Sequence, residues 1–191
     1  MSLRIHDILE FSGANGPGSR FVIFFQGCTL GCPNCINPRT HDVNGGRVEL
    51  IKDVVDRIRE RACSIEGITI SGGEPFLQPI ALKSICTEAK EMGLGTIVST
   101  GFTIAELSSN VSNVEDLFHS IDALVAGRFH QEDALPTGLV GSHNKQIVLF
   151  SNRYSLDDIF STARLEIDIN DSMLKASGTG VYDLFDWNTF I

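Results

Sequence analysis

The sequence predicts an α/β fold with a parallel, curved sheet covered by helices, and two patterns predict it. Short apolar runs alternate with helical stripes along most of the 191 residues, which implies β-α-β order and hence parallel strands. Segments rich in glycine, cysteine or polar residues fall directly after those runs. Reactive groups gather at the C-terminal ends of strands in open α/β sheets and in barrels alike.

Taken in order, the first strand is expected over residues 20–26, where Phe21, Phe24 and Phe25 pack the sheet. A helix over residues 50–61 carries Ile51, Val54, Val55 and Ile58 on one stripe, with charges opposite. A strand over 67–71 precedes a helix over 79–92, whose stripe is Ile80, Leu82, Ile85, Cys86 and Ala89, with Gly93 as its stop. Strands over 95–100 and 121–126 flank weaker helical patterns at 103–108 and 114–120. The last two strands are expected over 145–150 and 164–169, with a helix at 156–162 between them. The final one alternates apolar and polar residues like a half-exposed edge strand. Six strands are too few for a closed eight-stranded barrel, which leaves an open partial barrel or a doubly wound sheet. The aromatic segment 182–190 either packs back on the domain or meets a partner.

The chain is expected to form one domain over residues 1–191, large enough to bury a core without staples. A formal charge of −9 excludes broad binding of nucleic acid or of anionic membrane, which need clustered Lys and Arg. No apolar stretch reaches the roughly 18 residues of a spanning helix. The first residues lack the apolar core of a signal peptide, so a cytoplasmic protein is expected. Five cysteines in that setting point to metal or thiol chemistry rather than to disulfides.

Three of them, Cys28, Cys32 and Cys35, stand as C-x3-C-x2-C just after the first strand. Three thiolates on one tight loop are a metal-ligand set. Iron–sulfur clusters usually take four cysteines, so three would leave one iron open to something that reacts there. The competing reading is a structural zinc site with His41 as fourth ligand, that is, a zinc-binding interaction module. Cys63 and Cys86 read as packing residues. Ser71-Gly72-Gly73-Glu74-Pro75 follows the second strand, where its glycines allow close backbone approach and its glutamate adds an acceptor. Alone it could equally be a strand-to-helix turn. Ser99-Thr100-Gly-Phe102 follows the third strand and Gly127-Arg128-Phe129 the fourth. His119, His130 and His143 read as loop histidines facing solvent.

The cysteine loop and the Gly-Gly-Glu segment together resemble the radical S-adenosylmethionine superfamily. Within it, Gly16-Pro-Gly-Ser-Arg20, Phe25-Gln-Gly-Cys28, Asn37-Pro38, Thr100-Gly-Phe102, residues 122–129 and Gly141-Ser-His-Asn144 are similar to the activating proteins of anaerobic ribonucleotide reductase. The chain departs from that pattern at Asn15 and Ala126, where the family usually has Asp, and at Lys145, where it usually has Gln. Asn34 stands where the wider superfamily often has an aromatic residue.

The resemblance implies a partial (β/α)6 barrel holding one 4Fe–4S cluster on Cys28, Cys32 and Cys35. S-adenosyl-L-methionine would bind at the open iron and be cleaved reductively to a 5′-deoxyadenosyl radical, with no side chain acting as acid or base. Gly72, Gly73 and Glu74 would meet its methionine end, Ser99 and Thr100 would form a polar wall, and the backbone near Asn34 and Ile36 would reach the adenine. Arg128 would pair with a carboxylate. The implied partners are a large glycyl-radical enzyme, namely the anaerobic reductase, and an external one-electron donor such as flavodoxin or ferredoxin. A small-molecule or peptide substrate is the alternative within the same chemistry.

Overall fold

The computed structural model describes residues 1–135, 139–163, 165–170 and 173–178. In chain order the elements are β1 (Ser2–Ser12), β2 (Arg20–Phe25), β3 (Arg47–Leu50), α1 (Ile51–Arg61), β4 (Gly67–Gly72), α2 (Pro79–Glu91) and β5 (Gly95–Thr100). There follow α3 (Ile104–Asn110), α4 (Val114–Phe118), β6 (Ala123–Ala126), β7 (Gln146–Leu149), α5 (Leu156–Phe160), β8 (Glu166–Asn170) and β9 (Met173–Ser177). Seven strands form one open sheet in the order β3-β1-β2-β4-β5-β6-β7, and β8 pairs with β9 apart from it. The predicted α/β class and open, curved sheet hold.

The parallel part is shorter than six strands. It comprises β2, β4, β5 and β6. β1 and β3 add antiparallel at one edge, and β7 at the other. Between β6 and β7 the described chain holds one short 3-10 turn and no α-helix. A parallel return needs a long crossover, usually helical, so this connection turns β7 back antiparallel. The sequence reading missed β1 because a register irregularity between Ile5 and Asp7 breaks its alternation. The buried set therefore runs Leu3, Ile5, Ile8 instead of every second residue. The strand expected over 164–169 forms as β8, but it extends no edge of the main sheet. The Glu166 carboxylate accepts from the Ser12 hydroxyl at 2.6 Å and the Gly13 amide at 3.1 Å, which docks the β8–β9 hairpin on the β1–β2 turn. The aromatic segment 182–190 lies outside the described residues.

Both faces of the sheet are covered. On one face Phe21, Ile23 and Phe25 of β2 meet Ile68 and Ile70 of β4 and the apolar stripes of α1 and α2. Val54, Val55 and Ile58 line the buried side of α1, as its 3.6-residue period requires. In α2 the stripe is Ala81, Leu82, Ile85, Cys86 and Ala89, whereas Ile80, expected on it, is exposed. Gly93 at φ +77° ends α2, and the Leu94 and Gly93 amides cap the Ala89 and Lys90 carbonyls. The other face carries a smaller cluster of Ile97, Ala123, Val125, Leu139, Val140 and Ile159. Burial on both faces explains why β6, Ala-Leu-Val-Ala, is a continuous apolar run and why even Thr69 of β4 and Thr96 of β5 are buried.

Candidate metal centre

The site is built on the C-terminal edge of the parallel strands. β2 ends at Phe25, and Gln26 and Gly27 lead into Cys28. The loop that follows is closed at its base. The Gly27 amide donates to the Thr40 carbonyl at 2.8 Å and the Cys28 amide to the His41 carbonyl at 3.1 Å. From beneath, the buried Gln26 side-chain amide donates to the Arg39 and Asp42 carbonyls at 3.2 and 2.8 Å. Gln78 secures the same stem by donating to the Gln26 carbonyl at 3.1 Å. Gln26 belongs to the Phe25-Gln-Gly-Cys28 motif, whereas nothing in the sequence but its place before a helix start marks Gln78.

Cys28, Cys32 and Cys35 are half-buried on this loop. Gly31 and Asn34 turn the chain between them at φ +60° and +53°, and Asn is among the few non-glycine residues that tolerate that region. The Asn37 amide donates to Cys35 Sγ at 3.4 Å, and the Leu30 amide donates to Cys28. Amides aimed at sulfur favour the thiolate form that a metal requires. Burial opposes it, pushing the Cys28 and Cys35 thiols up from their ordinary values; neighbouring negative charge adds to the effect at Cys28, whereas at Cys35 the Lys145 ammonium works against it. Bound metal resolves that conflict, because a coordinating thiol is deprotonated outright.

Among the described residues, no three His, Cys, Asp or Glu side chains converge closely enough to hold a single ion. The His41 zinc reading therefore gains no support: its Nε2 is buried without a hydrogen-bond partner, outside any such group. A cluster makes a different demand, since each thiolate binds its own iron. The three sulfurs of one closed loop, two of which accept backbone amides, fit a cluster. Cys63 is exposed and Cys86 fully buried in α2, so neither belongs to the loop.

Gly72 ends β4, and Gly73 and Glu74 follow it beside this loop. A Cβ on Gly73 would stand 2.3 Å from the Gly27 carbonyl oxygen, and one on Gly72 would stand 2.5 Å from the Phe25 backbone. The close approach those glycines allow is to the stem of the cysteine loop. The Gly73 amide donates to the Phe25 carbonyl and the Glu74 amide to the Gly27 carbonyl, both at 2.8 Å. Glu74 is fully buried. Its carboxylate accepts from the Phe76 amide at 3.0 Å, the Thr100 hydroxyl at 2.8 Å and the Gly101 amide at 2.8 Å. Burial nonetheless pushes its carboxyl up from the usual range, against those three donors. Glu74 thus ties the loop after β4 to the loop after β5.

Ser99 is half-buried at the end of β5, paired with Val125, and Thr100 is spent on Glu74. Arg128 reaches the same edge, but its guanidinium donates to Glu106 Oε2 at 2.8 Å. Hydrogen bonds from Arg128 and from Thr103 lower the Glu106 carboxyl to about 2. Asn34 and Ile36 are exposed on the cysteine loop. His119, His130 and His143 are exposed, as expected of loop histidines. Asn15 lies at the opposite end of β2, donating to Ser12 and Ser177 hydroxyls at 2.8 and 2.6 Å. It does not share an edge with the cysteines. Ala126 does, buried at the end of β6. One further group, Lys145, feels the charges of Cys32, Glu74 and Cys35.

The model of the 4Fe-4S single cluster domain family matches residues 14–148. The pyruvate formate-lyase-activating enzyme of Clostridium pasteurianum is 35% identical over 134 residues, covering 68% of this chain and 54% of that protein. The pyruvate formate-lyase 1-activating enzyme of Escherichia coli (strain K12) is 30% identical over 152 residues, covering 78% of this chain and 61% of its own length. The chain therefore spans a little over half the length of these curated relatives. Among solved structures, QueE from Escherichia coli aligns with a TM-score of 0.43 at 18% identity, over 54% of each chain. The family match takes in the cysteine loop, the Gly-Gly-Glu segment and Lys145, and the chain belongs to the family of 4Fe-4S single cluster domains.

Proposed function

We propose that this chain is a radical S-adenosylmethionine enzyme that installs a glycyl radical on a partner enzyme. The observation that carries the reading is three half-buried cysteines on one closed loop, with Cys63 and Cys86 placed elsewhere. Three protein ligands leave the fourth iron of a 4Fe–4S cluster open to a substrate. Bound there, the cluster would supply the electron that cleaves S-adenosyl-L-methionine into methionine and a 5′-deoxyadenosyl radical.

The protein's part is holding and shielding. Cys28, Cys32 and Cys35 would ligate the cluster, and the Gln26 and Gln78 bonds fix the loop that bears them. Gly72 and Gly73 press the β4 loop against that stem, and Glu74 locks it to Thr100 and Gly101. Leu30 packs on Gly101, where a Cβ would come within 2.4 Å of its Cδ1, and so joins the cysteine loop to the loop after β5. The electron would come from an external donor of the flavodoxin or ferredoxin class.

A large glycyl-radical enzyme is the client this reading favours. Motif likeness points to anaerobic ribonucleotide reductase, and the named relatives are activators of pyruvate formate-lyase. The test is anaerobic incubation of the reduced, iron-loaded protein with S-adenosyl-L-methionine and each client in turn. A glycyl electron-paramagnetic-resonance doublet on the reductase is expected. A doublet on the lyase alone would reassign the client. No doublet on either, with fast 5′-deoxyadenosine release in the presence of a small metabolite, would move the reading to biosynthesis.

A further inference from the structure

Lys145 occupies a place for which the reading above has no role. It directly precedes β7, whose first residue Gln146 pairs with Ala126 at the site edge of β6. Gly141, at φ +81°, marks where its side chain goes. A Cβ on Gly141 would lie 3.5 Å from Ile36 Cδ1 and 4.0 Å from Lys145 Nζ. The ammonium and the side chain of Ile36, the residue after Cys35, thus both come up against Gly141. Its electrostatic neighbours are Cys32, Glu74 and Cys35, all of which favour its charge, while burial opposes it. Arg128, the other cation near this edge, is committed to Glu106. Among the described residues no carboxylate lies within ion-pair distance of Lys145 Nζ.

We propose that Lys145 is the counter-charge of the cluster, a positioning residue that stabilises it most in its reduced, more negative state. The inference rests on the three cysteines holding a cluster. The step it affects is the uptake of one electron from the external flavodoxin- or ferredoxin-class donor, in which no bond forms or breaks. A fixed positive charge nearby lowers the energy of the added negative charge and so raises the reduction potential. At an effective dielectric of about 20, a unit charge about 10 Å away shifts such an equilibrium by about tenfold or more.

The test is a redox titration, followed by electron paramagnetic resonance, of iron-reconstituted wild type, K145M, K145Q, K145R and the surface control K83M. At the wild-type midpoint, the ratio of reduced to oxidised cluster should fall about tenfold in K145M and K145Q, a shift of about 59 mV for one electron. K145R and K83M should titrate like wild type. If neither uncharged variant holds iron while K145R does, the counter-charge role stands in stronger form. Unshifted potentials in K145M and K145Q overturn the proposal, as does equal loss of the cluster in all three Lys145 variants. Failure of the wild type itself to assemble a cluster would instead strike the proposed function.

Discussion

The Thr100 hydroxyl donates to Glu74 Oε1 at 2.8 Å, and this bond joins the loops that follow β4 and β5. Both residues are buried, so the contact is not screened by solvent. Together with the Gly101 and Phe76 amides it makes Glu74 a clamp behind the cysteine loop.

Removing that clamp should cost stability before it costs chemistry. Glu74→Ala leaves two amides and a hydroxyl without their acceptor, a loss of about 2–4 kcal/mol by urea unfolding. Glu74→Gln should be milder. One amide oxygen can take the Phe76 and Thr100 donors, and the neutral side chain escapes the burial that raises the Glu74 carboxyl. Equal losses in the two variants would contradict this account.

Gly73→Val tests what the glycines are for. Its Cβ would stand 2.3 Å from the Gly27 carbonyl oxygen. The variant should therefore lose iron as well as cofactor affinity, read as a fall in visible absorption after reconstitution. A variant that keeps a full cluster but binds S-adenosyl-L-methionine poorly would put the glycine against the ligand, as the sequence alone suggested.

That contrast shows what the sequence carries and what it hides. Cys28, Cys32 and Cys35 were legible because their spacing is local, and β4, β5 and β6 because their short apolar runs alternate with helical stripes. The partners of Gly73, Glu74 and Arg128 were not legible. Gly73 and Glu74 meet strand-end loops far away in sequence, and Arg128 meets Glu106 in the first turn of α3; these are joined only when the parallel strands align. Lys145 was visible as a departure from the family pattern, yet its place against Gly141 at the site edge follows from β7 turning back antiparallel. β1 was hidden by its own irregular register.

Acid should destabilise the metal-free chain through Asp122. Burial raises its carboxyl, but the Thr96 amide, the Ser151 hydroxyl and Lys90 outweigh that and hold it below the usual value. A depressed folded value means the stabilisation is present above the unfolded carboxylate range. It is lost as pH falls below about 4. Asp122→Asn should flatten the dependence of the urea midpoint between about pH 6 and pH 3, and cost about 1–3 kcal/mol at neutral pH. An unchanged slope in the variant would remove Asp122 as its cause.

The two remaining cysteines should behave as packing and surface residues. Burial keeps the Cys86 thiol well above its ordinary value, so it should resist alkylation in the native protein, whereas exposed Cys63 should react. Cys86→Ala should cost about 1–2 kcal/mol and Cys63→Ala less than about 0.5 kcal/mol. Neither should change iron content.

The most direct measurement is anaerobic reconstitution with iron and sulfide, followed by reduction and an assay for 5′-deoxyadenosine, on wild type and each cysteine variant. The account predicts a brown protein holding one cluster that cleaves S-adenosyl-L-methionine. It predicts loss of cluster assembly or cleavage on replacing Cys28, Cys32 or Cys35, and retention of both in Cys63→Ala and Cys86→Ala. A colourless protein that takes up only zinc, or a folded Cys86→Ala variant unable to hold iron, would contradict it.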